Sequence, residues 1–314
     1  RDQFKLGGKP FEYSIKAMVW DNRTVVTKYE NATKSLGTLK GYIQNGGSPS
    51  DFYEGMELGE MWGYTVAGLF KDQADIDSSA IHDFVQASDK VTRPGQVKIA
   101  DLDGNGFIDS GNFAVNDHGD LRIIGNQSPR YHYGLNLSAS WNGIGLSVFL
   151  QGVGKHDWYP GSDAGMFWGK YGRPFFALIP GIHNYTDDMY SAERNNWDTA
   201  YWPRMTTYQS NGVKNWTRLL EIPNTRYLQS AAYLRVKNIQ LDYSFPKHIC
   251  SAIRLQGLKI YVNAENLFTF TPLHKYAPNF DPEGLAYDAD FASAADGYTY
   301  PILKSVTVGI NITF

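Results

Sequence analysis

The sequence predicts an all-β protein, a transmembrane antiparallel β-barrel with long extracellular loops. The last residues, SVTVGINITF (305–314), alternate between an apolar and a polar face and end on an aromatic residue. About seven such strands recur along the chain, joined by short turns on one side and very long connections on the other. No apolar run approaches the roughly 20 residues of a membrane-spanning helix, so we expect any crossing to use strands.

Each strand is predicted from the alternation of apolar and polar side chains. Asn142-Gly143 alone joins two of the strands, and this dipeptide is the strongest short signal for a hairpin. In another strand the apolar phase shifts by one residue near Lys237, which predicts a β-bulge. The predicted strands are 11–20, 60–70, 130–141, 144–152, 231–245, 258–271 and 305–314, of which 60–70 is the least regular.

The connections between these strands differ sharply in length. Asn142-Gly143 and the turn from Pro246 to Gly257 are short, whereas three connections exceed the usual length in compact domains. Such alternation is typical of outer-membrane barrels, with turns in the periplasm and loops outside the cell. If Phe314 ends in the periplasm, the long connections all face outward. Residues 21–59 do not fit, because this counting places them on the periplasmic side. The long connections are 71–129, 158–227 and 272–301.

Composition excludes several function classes. Lys+Arg 29 against Asp+Glu 32 gives a net charge of -3 and no basic surface for nucleic acid. The single cysteine, Cys250, allows neither an internal disulfide nor a cysteine-based zinc site. The sequence has no nucleophile elbow, Walker loop, GxGxxG or HExxH motif, so we do not expect an enzyme. The chain starts RDQFKLGG, and we expect either a removed leader or further sequence upstream.

Several segments resemble a known family over nearly the whole chain. GDLRIIGNQSPRYHYGLNLSASWNGIGLSVFLQGVG, NTRYLQSAAYLRVKNIQLDYSFPK, LKIYVNAENLFTFT and YPILKSVTVGINITF resemble the carboxy-terminal part of SusC/RagA-family TonB-dependent outer-membrane transporters of Bacteroidetes. FEYSIKAMVWDNRTVVTKYENATKSL and YEGMELGEMWGYTVAGLF resemble the preceding strands of the same family.

The resemblance implies that residues 1–314 are a carboxy-terminal segment supplying about the last seven strands of a 22-stranded barrel. The plug domain and the earlier strands are absent from this chain. By resemblance, the protein imports oligosaccharides or peptides across the bacterial outer membrane, without an organic cofactor. The implied partners are the remaining plug and barrel segment, a SusD-like lipoprotein lid, TonB, outer-membrane lipid and the glycan or peptide cargo.

The segment from Asp101 to Asp109 has the spacing of an EF-hand calcium loop. Oxygen ligands stand at its first, third and fifth positions, and Gly106 provides the sharp turn. The twelfth position is Asn112 instead of the usual glutamate. An acidic residue often precedes the RxIIG segment of the resembled family, which makes Asp120 the substitute. The expected calcium ligands are Asp101, Asp103, Asn105, Phe107, Asp109 and Asp120. The alternative is a surface turn that binds no ion.

The predicted loop 158–227 holds five of the eight tryptophans. Aromatic side chains on an extracellular loop offer flat apolar faces that stack on sugar rings or peptide side chains. The alternative is that they pack a core within the loop itself. The candidate cargo-binding residues are Trp158, Trp168, Trp197, Trp202, Trp216 and Arg204, with Asp187, Asp188 and Glu193 as further hydrogen-bonding candidates.

Aromatic residues near the strand ends are predicted to form the girdles of the barrel at the boundary between lipid and water. These residues are Tyr131, Tyr133, Trp141, Tyr243 and Phe245.

Two alternatives from other classes stay open. A soluble, calcium-dependent carbohydrate-binding β-sandwich would cover its apolar strand faces with a second sheet and fold without detergent. A glycoside hydrolase would need two carboxylates at catalytic separation.

Overall fold

The computed structural model describes most of the chain and shows an almost entirely β architecture. The described residues are 2–32, 34–36, 52–82, 92–160, 167, 188–204, 223–285 and 302–314. Among these residues, no helix combines the length and apolar character needed to cross a membrane.

The strands fall into long ones, which build the main sheet, and short ones, which lie in the connections. In chain order they are β1 (Asp2–Leu6), β2 (Lys9–Trp20), β3 (Glu60–Tyr64), β4 (Val66–Leu69), β5 (Ile81–His82), β6 (Val97–Ile99), β7 (Phe107–Ile108), β8 (Leu121–Asn126), β9 (Arg130–Trp141), β10 (Ile144–Lys155), β11 (Asp157–Trp158), β12 (Gln229–Ser230), β13 (Tyr233–Ser244), β14 (Gly257–Phe270) and β15 (Ser305–Thr313). Helical segments with both ends among the described residues are α1 (Gln73–Asp77), α2 (Lys247–Ala252) and a 3₁₀ turn (Pro272–Lys275).

The main sheet has seven strands in the order β1-β2-β9-β10-β13-β14-β15, and every neighbouring pair is antiparallel. Six of its strands match predicted ones. The predicted strand 60–70 is wrong as a member of this sheet, because it divides into β3 and β4, which pair with β8 and β6 in small separate sheets. The seventh strand is β1, in which Phe4 and Leu6 alternate with polar residues before the two-residue turn Gly7-Gly8.

With β1 in the main sheet and 60–70 outside it, residues 21–59 no longer have to lie on the periplasmic side. The turns at Gly7-Gly8, Asn142-Gly143 and residues 245–256 all lie at one end of the sheet, here called the inner end. Asn142 and Gly143 have φ values of 50° and 86°, the left-handed conformation that a tight two-residue hairpin requires. The stretch 21–129 is a single connection at the opposite, outer end. All long connections, 21–129, 156–232 and 271–304, therefore lie at the outer end.

The two faces of the sheet have different chemistry. Register places Ile310, Ile260 and Tyr243 on one face and Asn311, Lys259 and Ser244 on the other. The apolar face is uncovered by the described residues, and its large side chains are exposed. Examples are Ile15, Val19, Leu146, Leu241, Val262, Val306, Val308 and Ile310, whose exposed fractions run from 44% for Leu146 to 76% for Val19. An apolar surface of this extent is the kind that barrels present to lipid.

The predicted bulge is confirmed. Register shifts between Val236 and Asn238 on both sides of β13: Lys237 is the extra residue relative to β10, and β14 has an additional residue of its own between Glu265 and Phe268. Because of this extra residue, Val236 and Ile239 occupy the same apolar face, while Arg235 joins Asn238 on the polar face.

The three outer connections fold together. Their described parts form one hydrophobic core, from Leu36 in the first connection through Trp202 in the second to Leu285 in the third. We call this part of the chain the outer loop module. Tyr201 of the second connection stacks on Tyr276 of the third with ring centroids 3.6 Å apart, and Trp158 lies against Phe280 at 4.9 Å. The outer loop module is therefore a packed structure with its own core.

Candidate functional site

A cluster of two cations and two carboxylates joins the sheet to the outer loop module. Arg235 of β13, with a side chain only 3% exposed, reaches Asp281 at 2.5 Å and Glu283 at 2.8 Å. Lys237, the bulge residue, binds the same Glu283 at 2.7 Å. The Arg235 guanidinium also donates to Thr269 at 2.9 Å. Burial opposes ionisation of Asp281, but the hydrogen bond and charge of Arg235, together with the N–H groups of Glu283 and Ile302, outweigh burial and hold the pKa of this carboxyl below its usual value.

The polar face carries its own hydrogen-bonded groups further toward the inner end. Lys259 forms an ion pair with Asp242 at 2.9 Å, and the Asn238 amide donates to Asn263 at 2.7 Å. Two open cavities of ≈ 470 Å³ lie over this face near the inner turns, and both are lined by Glu12 and Asp242. The polar face therefore offers charged and amide groups to whatever occupies the space beside it.

The aspartate loop brings together part of the predicted calcium set. Carboxylate oxygens of Asp101, Asp103 and Asp120 lie within 4.8 Å of one another. Asp109 is directed elsewhere: one oxygen accepts from Gly111 N at 2.7 Å, and the other accepts from the Asn105 amide at 3.1 Å.

The remaining two predicted ligands take part in turns. The Asn105 side-chain oxygen accepts from the backbone N–H of Phe107 at 2.7 Å, and its amide nitrogen also donates to Asp103 at 3.2 Å. The Phe107 side chain is exposed. The arrangement combines a three-carboxylate group with a network of local turns.

Burial distinguishes the members of the carboxylate group. Asp120 is fully buried, and desolvation together with Asp103 and Asp101 raises the pKa of its carboxyl, although the N–H groups of Leu102 and Asp109 donate to it. Asp101 is partly exposed, and the N–H of Gly106 holds the pKa of its carboxyl below the usual value. Clustered carboxylates with one raised pKa fit a hard cation, because the cation would offset their repulsion.

The described tryptophans of the outer loop module occupy different environments. Trp202 is 1% exposed and lies among Phe167, Tyr201 and Tyr227, so its side chain belongs to the core. Trp158 is 6% exposed, yet its indole N–H has no hydrogen-bond acceptor within the described residues.

Two further candidates lie nearer the surface. Trp197 is half-buried at the margin of the same core. Arg204 is also half-buried, and its backbone N–H donates to Gly95 O at 2.6 Å. Asp188 is half-buried and Glu193 is exposed. Trp168, Trp216 and Asp187 lie outside the described residues.

The predicted girdle residues lie near both ends of the sheet. Trp141 and Tyr243 flank Ile144 on the apolar face at the inner end, and Tyr243 packs against Phe245 at 5.0 Å. At the outer end Tyr133 pairs with Gly152, and its hydroxyl donates to Tyr233 O at 2.8 Å. Tyr131 is 51% exposed beside them.

Sequence reasoning missed the cluster formed by Arg235, Lys237, Asp281 and Glu283. A signal was present, because the bulge at Lys237 coincides with two cations near the outer end of a strand. The acidic pair in the third connection is the other half of that signal. The spacing of residues does not predict which carboxylates pair with Arg235 and Lys237, because the paired residues of the strand and the loop lie 46 positions apart.

Comparison with known proteins gives consistent results. No family model matches the chain. The chain is 26% identical over 267 residues to TonB-dependent receptor P3 of Formosa agariphila, covering 83% of this chain and 22% of that protein. It is 24% identical over 289 residues to TonB-dependent receptor P39 of the same organism, covering 83% of the chain and 25% of that protein. The chain thus spans about a quarter of the length of these curated relatives.

The solved structures agree on the fold. The structure of the RagAB peptide transporter aligns with 99% of the present chain, and the alignment covers 28% of the RagAB chain, with a TM-score of 0.56 and 16% identity. The RagAB peptide importer in the 'open-open' state matches 99% of this chain and 27% of that chain, with a TM-score of 0.57 and 17% identity. The outer-membrane location predicted from the sequence is confirmed. The predicted resemblance to SusC/RagA-family TonB-dependent transporters is confirmed: the curated relatives are named TonB-dependent receptors, and the RagAB structures share the fold of this chain.

Proposed function

We propose that this chain supplies the last seven strands of a 22-stranded barrel that imports oligosaccharides or peptides across the outer membrane. In this proposal a SusD-like lipoprotein covers the outer loop module, and cargo is released inward when TonB displaces a plug that lies elsewhere in the transporter. The work of the chain is binding and gating, without covalent chemistry. The RagAB relatives are described as peptide transporters, which supports peptide as one of the two cargo classes.

One observation carries the proposal: the seven-stranded sheet presents an exposed apolar face and a polar face, with all long connections at its outer end. A lipid-facing exterior, a polar interior and long extracellular loops are the defining features of outer-membrane barrels. The sandwich alternative requires a second sheet over the apolar face. Within the described residues no such sheet is present, because the small sheets all lie in the outer connections.

A pair of neighbouring substitutions tests this proposal in the full-length transporter. Ile310→Arg places a charge on the apolar face near the middle of β15, and we expect it to destabilise the barrel by about 2–4 kcal/mol. Asn311→Arg places the same charge on the polar face and should be tolerated. Folded, heat-modifiable protein in isolated outer membranes is the measurement. Equal levels for the two variants would contradict the proposed lipid contact.

The cargo site is the second part of the proposal. We assign Trp197 and Arg204 as the described candidates with the exposure needed to touch cargo, and we keep Trp158, whose buried indole N–H has no acceptor within the described residues, as a candidate on sequence grounds. Trp202 builds the core beneath them. Trp168 and Trp216 remain candidates on sequence grounds.

Cargo binding and folding are separated by measuring affinity and surface abundance for each variant. Trp197→Ala should weaken binding of purified oligosaccharide or peptide fractions by on the order of 1–3 kcal/mol, by analogy with other stacking contacts, at normal abundance. Tyr29→Ala, at an exposed aromatic of the first outer connection, is the matched control. Normal affinity for Trp197→Ala, Trp158→Ala and Arg204→Ala together would remove this site assignment and leave the transporter proposal intact.

The aspartate loop is the third part. We propose that Asp101, Asp103 and Asp120 hold a calcium ion, with Asp109, Asn105 and the Phe107 carbonyl completing the shell after a local rearrangement. The convergence of three carboxylates supports this proposal. The ion would neutralise the repulsion among the carboxylates and fix two short strands, β7 within the loop and β8, which begins directly after Asp120.

A further inference from the structure

The turn between β13 and β14, residues 245–256, has a composition unlike that of the other inner turns. It contains the short helix α2, and Cys250 packs inward with 1% exposure. Ile249 and Ile253 lie four residues apart, so they share one side of the helical turn. Both are exposed, at 40% and 53%. The turn therefore holds an apolar pair outward at a place where two-residue turns suffice elsewhere in the sheet.

Cations surround this apolar pair. Lys247, His248 and Arg254 are all exposed, and the turn contains no aspartate or glutamate. Within the described residues, neither Lys247 nor Arg254 forms an ion pair. Two exposed isoleucines beside two permanent cations that form no ion pair within the described residues are complementary to a partner with an apolar part next to an anionic part.

The position of the turn identifies that partner. It begins with Phe245, which packs against Tyr243 at the inner end of the apolar face, and these two residues are the girdle pair there. Tyr243 pairs with Ile260, which is 41% exposed on the same face. The apolar surface thus reaches the turn without a break, and the cations begin where the strands end. At a bilayer boundary acyl chains give way to phosphate groups over the same short distance.

We propose that residues 245–256 form an interfacial anchor that binds the phosphate groups of phospholipids in the periplasmic leaflet. Ile249 and Ile253 enter the upper acyl region, and Lys247 and Arg254 bind the head-group phosphates. The anchor fixes the depth of β13 and β14 in the membrane, and these strands carry the Arg235 cluster at their outer ends. This inference rests on the proposed barrel function, because that function sets which end of the sheet is periplasmic.

Spin labels test the apolar half of the anchor. In the full transporter, with Cys250 replaced by serine and other cysteines removed, single labels are placed by Ile249→Cys and Ile253→Cys. The labelled protein is reconstituted in phosphatidylethanolamine–phosphatidylglycerol nanodiscs. We expect both labels to collide more with lipid-soluble oxygen than with a water-soluble nickel chelate. Ser251→Cys, an exposed position on another side of α2, is the control and should favour the nickel chelate.

A label at Val308→Cys separates the two proposals. The anchor is overturned, and the barrel proposal is supported, if the Val308 label collides with oxygen while the Ile249 and Ile253 labels collide with the nickel chelate. The same holds if the Ile249 and Ile253 labels collide with neither reagent because protein covers them. If the Val308 label also meets only the nickel chelate, the proposed barrel function fails as well.

Lipid binding tests the charged half. Native mass spectrometry of the transporter, titrated with phosphatidylglycerol, should show about fivefold weaker binding for each of Lys247→Gln and Arg254→Gln. Lys28→Gln, at an exposed cation of the first outer connection, should leave binding unchanged. Unchanged phosphatidylglycerol binding in the Lys247→Gln, Arg254→Gln double variant would overturn the assignment of these cations.

Discussion

The seven-stranded sheet exposes its large apolar side chains, whereas the outer loop module buries them. In the sheet the large apolar residues are the exposed ones, and Val308 is 72% exposed. In the outer loop module the largest apolar residues are the hidden ones, and Trp202 is 1% exposed. Both regions belong to one chain. The difference is the one expected from the proposed barrel, in which the sheet is folded for lipid and the module for water.

The polar residues follow the same division. The sheet directs Asn238, Gln240 and Asn263 away from its apolar face. The outer loop module instead buries polar side chains such as Glu60, which accepts from the indole of Trp62 at 3.0 Å.

The largest expected effect is in the core of the outer loop module. Trp202→Ala should destabilise the module by about 3–5 kcal/mol, because it leaves a cavity among Phe167, Tyr201 and Tyr227. Val308→Ala, which removes apolar atoms from the lipid-facing sheet, should cost far less. Limited proteolysis of the full transporter in outer membranes measures both. Comparable protection of the two variants would break the contrast between a packed module and an open sheet face.

The junction between the regions gives the next effect. Arg235→Met should destabilise the third outer connection by about 3 kcal/mol, since Asp281 and Glu283 lose a buried cation. Lys259→Met removes a more exposed cation from the same sheet, at 36% exposure, and should cost little. Hydrogen exchange in residues 271–285 is the readout. The triple variant Arg235→Met, Asp281→Asn, Glu283→Gln should regain protection, and failure to do so would contradict a charge-pair origin.

A smaller effect concerns calcium and pH in the outer loop module. Burial raises the pKa of Asp120, so without an ion this group favours the folded state at low pH, and that contribution is lost as pH rises through its raised pKa. A bound calcium requires the ionised form, which reverses the sign. Calcium affinity should therefore fall about tenfold per pH unit once the pH drops below the raised pKa of Asp120.

Calorimetry of calcium binding at several pH values measures this dependence. Asp120→Asn should weaken binding and remove the pH step. Asp117→Asn, at an exposed carboxylate of the same connection, should preserve both. A pH-independent affinity in the unsubstituted protein would contradict the role of Asp120.

The smallest effect lies within the sheet. The Tyr261 ring covers Gly309, so a Cβ at Gly309 would meet the ring at 2.2 Å. Gly309→Ala should displace the ring and cost about 1 kcal/mol. Gly257→Ala, where the added carbon meets only Thr313 at 3.6 Å, should cost less. Urea unfolding in lipid vesicles compares the two, and a larger loss for Gly257→Ala would contradict this packing.

Much of the sheet could be predicted from the sequence, because a strand's two-residue period is local. Six of the seven main strands, the Asn142-Gly143 hairpin and the bulge at Lys237 follow from alternation and turn chemistry. The segment 60–70 was misassigned since its short strands have enough alternation to resemble a longer one. β1 was missed because Phe4 and Leu6 give too few repeats.

The aspartate loop was predictable for the same local reason, since its turns depend on residues close in sequence. Only the folded chain, however, brings Asp120 to Asp101 and Asp103 and turns Asp109 away. The tertiary structure also decided which tryptophans lie inside the outer loop module, and which carboxylates pair with Arg235 and Lys237. These features join three separate connections, and contacts between distant segments depend on packing that no local pattern specifies. The apolar face of each main strand followed from the sequence alone, because alternation is a local pattern; in the proposed barrel that is the face that contacts lipid.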